Sequence, residues 1–361
     1  MNRFTGKLAL QQRVLPHYRV PFFDLLASAC DGGMSLFTGL PRADEGVTVA
    51  KELRVTRYTL GKNVHLFRGS FYLCYQKGLM NWLKAEHPDA LIVEANPRYL
   101  STPSAVEWMH KRDRPVIGWG LGFPSPRGRG VGVRVRSDFI NQFDAMIAYS
   151  QRGANEYADL GFPLDYLFVA HNSVSPALSH PLPFRPSTFN VRPVILFVGR
   201  LQARKRVDNL LRACAEIQNV RLVIVGDGPE RNTLQSLARK IYPDAEFIGA
   251  KHGAELKPHF AEADLFVLPG TGGLAIQEAM SYGLPVIVAQ GDGTQDDLVR
   301  KENGWQIPPD DYDALVASIK DALSDTARLR RMGEESYRIV EEEINIEQMA
   351  GTFVRALNSL K

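Results

Sequence analysis

Two doubly wound α/β units in tandem, facing each other across a cleft, are the fold that this sequence predicts. Three observations carry the expectation. Short β-branched runs alternate with amphipathic stretches along almost the whole chain, which is the pattern of βα units on a parallel sheet. A segment from Pro176 to Pro193 interrupts that alternation with prolines at 176, 181, 183, 186 and 193 and no periodicity, as a linker would. The length, 361 residues, suits two domains at roughly 150 residues each.

In the first unit, residues 1–175, strands are expected at Lys7 to Gln12, Met34 to Thr38, Ala90 to Glu94, Pro115 to Trp119, Ala145 to Tyr149 and Tyr166 to Ala170. Helices are expected at Pro21 to Ala29, Leu73 to His87 and Gln151 to Leu160. After the linker, 176–193, the runs are cleaner: Val194 to Val198, Arg221 to Val225, Ala245 to Ile248, Leu265 to Leu268 and Pro285 to Val288, each followed by a helical stretch. Beyond Asp325 the chain reads as charged helix to its end. Ligands in such sheets bind at the carboxyl ends of the strands, so the chemistry is expected there.

Composition narrows the function classes. With 45% hydrophobic and 23% charged residues the chain reads as an ordinary globular protein, and no apolar run approaches the roughly 20 residues of a spanning helix. The first residues, Met1 to Lys7, lack the apolar core of a signal peptide, so secretion is not expected. Cys30, Cys74 and Cys214 lie far apart with no metal-ligand spacing, and the chain reads as cytoplasmic. Residues 1–175 hold 21 Lys and Arg against 15 Asp and Glu, so the first unit carries the basic surplus. Arg127 to Arg136, four arginines and three glycines in ten residues, reads as a basic loop suited to a phosphorylated substrate or an anionic membrane. No aromatic platform accompanies it, so nucleic acid is not expected.

Three stretches carry chemistry. In Val198-Gly199-Arg200-Leu201-Gln202-Ala203-Arg204-Lys205 a strand ends at a glycine and two cations follow, placed so that Arg200 and Lys205 converge on one anion. In Val225-Gly226-Asp227-Gly228-Pro229 a strand enters a tight turn that lacks the third glycine of a dinucleotide fingerprint, and a turn is the favoured reading. In Leu268-Pro269-Gly270-Thr271-Gly272-Gly273-Leu274-Ala275 the glycines let the backbone approach a ligand, and the amides of Gly273, Leu274 and Ala275 open a helix that could cradle a diphosphate. Glu278, one turn further, suits a ribose diol. Asp311-Tyr312-Asp313 has the spacing of a metal pair, but helix capping is the favoured reading, and no metal is expected.

These landmarks, with Phe247-Ile248-Gly249, Ala263 to Pro269, Glu278-Ala279-Met280, Gly283 to Val286 and Asn303-Gly304, resemble the retaining GT-B glycosyltransferases of family 4 in order and spacing over 194–323. In the first unit His17 to Phe23, Ala148-Tyr149-Ser150 and His171 to Val174 are similar to polysaccharide-assembly members of that family. The resemblance implies an acceptor unit first, a donor unit over 194–339, and a final helix at about 340–361 returning to the first unit. It implies transfer of a sugar from a nucleotide diphosphate sugar to a hydroxyl acceptor, a glycan or lipid-linked sugar, without a metal or other cofactor. A lipid-linked acceptor would be met at the inner face of the membrane, with peripheral association there.

By the same resemblance Arg200 and Lys205 are catalytic, and Gly199, Gly226, Ile248, Gly272, Gly273, Leu274, Ala275 and Glu278 hold the donor. His17, Arg19, Asn96 and Gly120 are acceptor-side candidates. The chain departs from the family at Gly270, where the first of two paired glutamates is expected, and after Trp119, where Gly120-Leu121-Gly122 stands in place of a histidine. An epimerase acting on nucleotide sugars, or a nucleotide-sugar-binding protein without catalysis, remain compatible with the same residues.

Overall fold

The computed structural model describes residues 2–360 except 46, 124–130, 179–180, 187, 190–191, 218 and 292. The chain divides into two compact units, residues 1–176 with 346–361, and residues 177–345.

Unit 1 contains strands β1 (Leu8–Val14), β2 (Met34–Gly39), β3 (Arg57–Leu60), β4 (Lys62–Leu66), β5 (Leu73–Lys77), β6 (Ala90–Glu94), β7 (Val116–Gly120), β8 (Ala145–Ala148) and β9 (Leu167–Val169). Seven form a parallel sheet in the order β3-β2-β1-β6-β7-β8-β9, and β4 and β5 form a separate antiparallel pair. Alternation along the strands splits the core by face. Leu8, Leu10 and Ile92 join Phe22, Phe23 and Trp119 on one side, while Ala9, Leu91 and Val93 join Trp82, Trp108 and Tyr157 on the other. The last helix, Ile346–Asn358, packs into the first of these cores, its Phe353 ring 5.0 Å from Phe22 and 4.9 Å from Trp119.

Two expectations for unit 1 need correction. The helix expected from Leu73 to His87 is a strand, Leu73–Lys77, followed by a helix over Leu79–Glu86. Residues 73–77 alternate, with Cys74 and Gln76 buried and Tyr75 and Lys77 exposed, and Gly78 at φ 97° makes the break that an L side chain resists. The expected loop Arg127 to Arg136 is in part helical: Arg134 and Arg136 lie in a helix spanning Val131–Ile140, where Arg136 stands over the Phe123 ring. Arg127 and Arg129 lie outside the described residues.

Unit 2 contains β10 (Val194–Val198), β11 (Arg221–Val225), β12 (Glu246–Gly249), β13 (Leu265–Leu268), β14 (Val286–Ala289) and β15 (Gly304–Ile307). All are parallel, in the order β12-β11-β10-β13-β14-β15. The strand order reverses between β10 and β13, which is where open α/β sheets leave a crevice for ligands.

The proline-rich segment, read from sequence as a linker, is packed onto this unit. Leu178 and Phe189 lie against its core. The Arg185 guanidinium donates to the carbonyls of Phe260 (2.9 Å), Tyr282 (3.0 Å), Ala261 (3.2 Å) and Ala263. Burial, with the nearby Arg330 adding to it, pushes the Arg185 pKa down to about 10. Arg330 in turn bonds the Pro186 carbonyl at 2.8 Å and Asp264 at 2.7 Å. Phe260 and Ala263 are buried, and their carbonyls need donors, which the Arg185 side chain supplies.

Candidate functional site

The strand order of unit 2 reverses between β10 and β13, and the loops that follow these two strands carry the candidate residues. The loop after β10 is braced from one side by the loop after β11. A Cβ at Gly226, whose φ is 147°, would lie 1.9 Å from the Gly199 carbonyl oxygen, so only glycine lets the two backbones meet. Leu201 N–H donates to the Asp227 carbonyl at 2.8 Å, and Glu230 N–H returns to the Leu201 carbonyl at 3.1 Å. Gly226-Asp227-Gly228 is thus a turn that fixes the position of residues 199–201.

From the other side the loop after β13 is joined to the segment bearing the cations. Thr271 N–H donates to the Arg204 carbonyl at 3.1 Å, and Arg204 Nη1 donates to the Thr271 carbonyl at 3.1 Å. Lys205 is 6% exposed, and its Nζ donates to the carbonyls of Thr271 (2.8 Å) and Gly272. An ammonium has three N–H donors, and among the described residues two carbonyls accept from it. Burial, with Arg204 adding like charge, pushes the Lys205 pKa down to about 8. Gly270 explains itself here: a Cβ would lie 2.1 Å from the Arg204 carbonyl oxygen and 2.5 Å from Lys205 Cα. The position where a glutamate is expected from the resemblance is therefore filled by backbone.

Leu274 is the N-cap of the helix Ala275–Ser281, and no side chain caps it. Gly272 has φ 70°, and a Cβ there would come within 3.4 Å of Arg204 Nη1. Glu278 follows one turn into the helix. It is half-buried, and among the described residues its carboxylate has no hydrogen-bond or ion-pair partner, so burial alone pushes its pKa up. Arg200 is exposed beside Gly199, and Ile248 is half-buried near the carboxyl end of β12. Asp311 accepts the Ala314 N–H at 2.9 Å, which is helix capping, and among the described residues no group of acidic, histidine and cysteine side chains has the arrangement of a metal site.

The acceptor-side candidates separate. His17 is exposed in a turn after β1, its N–H donating to the Thr48 carbonyl at 2.9 Å. Asn96 closes a turn after β6, its Oδ1 accepting the Arg98 N–H at 3.1 Å. A Cβ at Gly120 would lie 2.5 Å from Tyr157 Oη, so that glycine serves packing. Arg19 needs correction as a substrate contact. It is 5% exposed, bonded to Asn172 Oδ1 and the Ser173 carbonyl, with the rings of Tyr18, Trp119 and Tyr149 at 5.6, 5.3 and 5.7 Å. Its role is to hold the end of β7 against the 172–173 loop.

Sequence reasoning missed a polar cluster at the reversal point of unit 1, between β1 and β6. Arg13 bonds Glu45 at 2.8 Å through its side chain and Glu94 at 2.9 Å through its N–H, and Tyr99 Oη donates to Glu94 at 2.9 Å. The signal available in sequence was the charged residue at the end of each adjacent strand, which only the strand order makes neighbours.

A family model for glycosyl transferases group 1 matches residues 183–339. Those residues are a group 1 glycosyl transferase domain. Within that domain the match takes in both braced loops and Glu278. A GDP-mannose-dependent alpha-mannosyltransferase of Mycobacterium tuberculosis is 40% identical over 125 residues, which is 34% of this chain and 32% of that protein. The chain thus spans about a third of that relative's length. The lipopolysaccharide core biosynthesis glycosyltransferase LpsE of Rhizobium meliloti is 22% identical over 338 residues, covering 85% of this chain and 99% of that one. Among solved structures, the apo lipopolysaccharide outer core galactosyltransferase WaaB superposes with a TM-score of 0.70 at 18% identity, over 98% of this chain and 99% of the other. Anabaena HepE in complex with UDP gives 0.69 at 17% identity, over 99% and 100%. The group 1 domain therefore sits in a chain whose fold, over its whole length, is that of GT-B glycosyltransferases.

Proposed function

We propose that the protein is a retaining glycosyltransferase, moving a sugar from a nucleotide diphosphate sugar to a hydroxyl on a glycan or lipid-linked acceptor in surface polysaccharide assembly, at the inner face of a membrane. The observation that carries this reading is the joining, at the strand-order reversal of unit 2, of the buried Lys205 ammonium to a glycine-rich loop whose following helix carries Glu278, a half-buried carboxylate with no partner among the described residues. One relative is named for dependence on GDP-mannose and one solved neighbour holds UDP; both support a nucleotide-linked donor here, and they differ on the base.

Cleavage of the anomeric C–O bond leaves its electron pair on the diphosphate, and stabilising that growing charge is the main task of the site. We assign that task to Lys205, Arg200 and the 272–275 amides, a reading in which fixed cations and backbone donors act without a metal. The acceptor oxygen bonds to the anomeric carbon on the face the diphosphate leaves, and its proton passes to a phosphate oxygen. The decisive experiment screens nucleotide sugars for thermal stabilisation, then follows nucleoside diphosphate release with acceptor and the anomeric configuration of the product by NMR. Activity is expected to survive excess chelator, and a requirement restored by Mg²⁺ or Mn²⁺ would overturn the metal-free reading.

Two further results are expected. Glu278→Gln should weaken donor and free nucleoside diphosphate by a similar factor, about tenfold for a charged hydrogen-bond acceptor, and should raise thermal stability because an unpaired buried charge is removed. Loss of turnover with unchanged diphosphate affinity would place Glu278 on the sugar. The second concerns pH. Lys205 binds an anion only when protonated, so affinity for a nucleoside diphosphate should be level below about 8 and fall by up to about tenfold per unit above it. Calorimetry at about pH 9 in buffers of different ionisation enthalpy should show about one proton taken up on binding, and none in Lys205→Met.

A further inference from the structure

We propose that the β4–β5 hairpin of unit 1 is an interfacial anchor that docks this unit onto an anionic phospholipid surface. The inference rests on the membrane-facing part of the proposed function, and it assigns that role to a surface other than the arginines at 127–136.

The hairpin register pairs Lys62 with Lys77, Val64 with Tyr75 and Leu66 with Leu73 on one face, and Asn63 with Gln76 and His65 with Cys74 on the other. The second face is anchored. Gln76 is buried and bonds Gln11, the Gln12 carbonyl (3.1 Å) and Asn63 (3.0 Å), while Asn63 bonds the Arg13 carbonyl at 2.8 Å. The first face is left outward. Tyr75 is 46% exposed, and at the tip Phe67 and Phe71 are 69% and 81% exposed. Two phenylalanines held in water at one turn are costly, and Phe67 is held there with φ 58°.

Charge is arranged to match. Residues 53–85 contain six Lys and Arg and no Asp or Glu. Lys62 and Lys77 are directly opposed across the hairpin, a pairing that is unfavourable unless an anion sits between, and among the described residues neither has a carboxylate partner. At the other end a hollow of about 630 Å³ is lined by Phe67, Phe71, Leu73, Arg68 and Arg98. From Leu66 to Lys62 is four steps, about 13 Å at the usual rise, so with the rings at the acyl boundary the tyrosine lies among headgroups and the lysines at the anionic surface. From tip to base the hairpin runs from exposed rings, with Arg68 between them, to a pair of lysines, a gradient that matches an acyl boundary overlaid by anionic headgroups. A protein partner would not require that gradient.

The test uses flotation of the full chain with vesicles of phosphatidylcholine, and of phosphatidylcholine with phosphatidylglycerol in equal amounts. The parent should float with the anionic vesicles, less so at high ionic strength. Phe67→Ser with Phe71→Ser should lower the partition coefficient at least about tenfold. Lys62→Gln and Lys77→Gln should each lower it about fivefold on anionic vesicles and little on neutral ones. Melting temperature and nucleoside diphosphate affinity report whether each variant is folded. Should the tip variants not fold, the indole introduced by Phe71→Trp must be quenched by brominated lipid. A parent that binds neither vesicle, variants that float like the parent, an unquenched indole, or a tip variant that converts a dimer to a monomer would each overturn the anchor. Sugar transfer to a soluble acceptor is measured alongside. Its failure with flotation intact would sink the transferase reading and leave the anchor standing.

Discussion

Replacement of Lys205 by methionine is expected to lower turnover by about 10²–10³ while leaving the melting temperature unchanged or higher. Under the proposed mechanism the loss follows from removing a preorganised cation that stabilises charge on the leaving diphosphate. The stability expectation follows from the surroundings. The lysine stem is buried, and methionine occupies nearly the same volume. The carbonyls that lose a donor belong to Thr271 and Gly272, which are exposed and half-buried, so water can take over. Against that, the folded state no longer has to bury an ammonium, whose lowered pKa shows that burial opposes the charge. Thermal unfolding and nucleoside diphosphate release measure the two effects separately. Turnover within about threefold of the parent would remove Lys205 from the reaction.

Placing a glutamate at position 270 is expected to destabilise the protein and weaken nucleoside diphosphate binding. By resemblance a glutamate belongs there, but a Cβ would meet the Arg204 carbonyl oxygen at 2.1 Å and the Lys205 carbonyl carbon at 2.5 Å. These are backbone atoms that no rotamer change can clear. Gly270→Ala should already cost about 1–3 kcal/mol of stability as an overpacked contact. Because the displaced backbone carries Lys205, nucleoside diphosphate affinity should fall at least about tenfold in both Gly270→Ala and Gly270→Glu, as it does when a charged group moves by about 1 Å. Calorimetric titration and thermal unfolding check both values. A Gly270→Glu protein that binds and turns over better than the parent would mean that the 204–205 segment moves freely, and that the close approach has no functional weight.

Five of the six strands of unit 2 were legible because their signal is local; the sixth, Gly304–Ile307, was not read. Val194 to Val198 and Leu265 to Leu268 are short, continuous apolar runs bounded by turns, and buried parallel strands have that form. The capping role of Asp311 was legible for the same reason, since donor and acceptor are three residues apart. The segment Leu73 to His87 was misread because a five-residue alternation ahead of Gly78 is short beside the helical pattern that follows. The partner of that strand, Lys62–Leu66, was not read at all, and pairing is what makes an isolated alternation a strand.

What the sequence determined by itself is the class of fold, most of the central strands and the order of the loops that bear glycine and cation, because periodicity and turn chemistry act over a few residues. Tertiary structure alone decided which of those loops touch. Gly226 against Gly199 and Gly270 against Arg204 and Lys205 are contacts between segments 27 and about 65 residues apart, and they require glycine because a Cβ at either position would lie near 2 Å from a backbone oxygen. It likewise withdrew Arg19 into a ring of aromatics and turned a proline-rich segment into a strap held by Arg185. Burial and backbone proximity are properties of the folded chain as a whole: a residue's type sets what it can bond, and only packing sets what is left for it to bond.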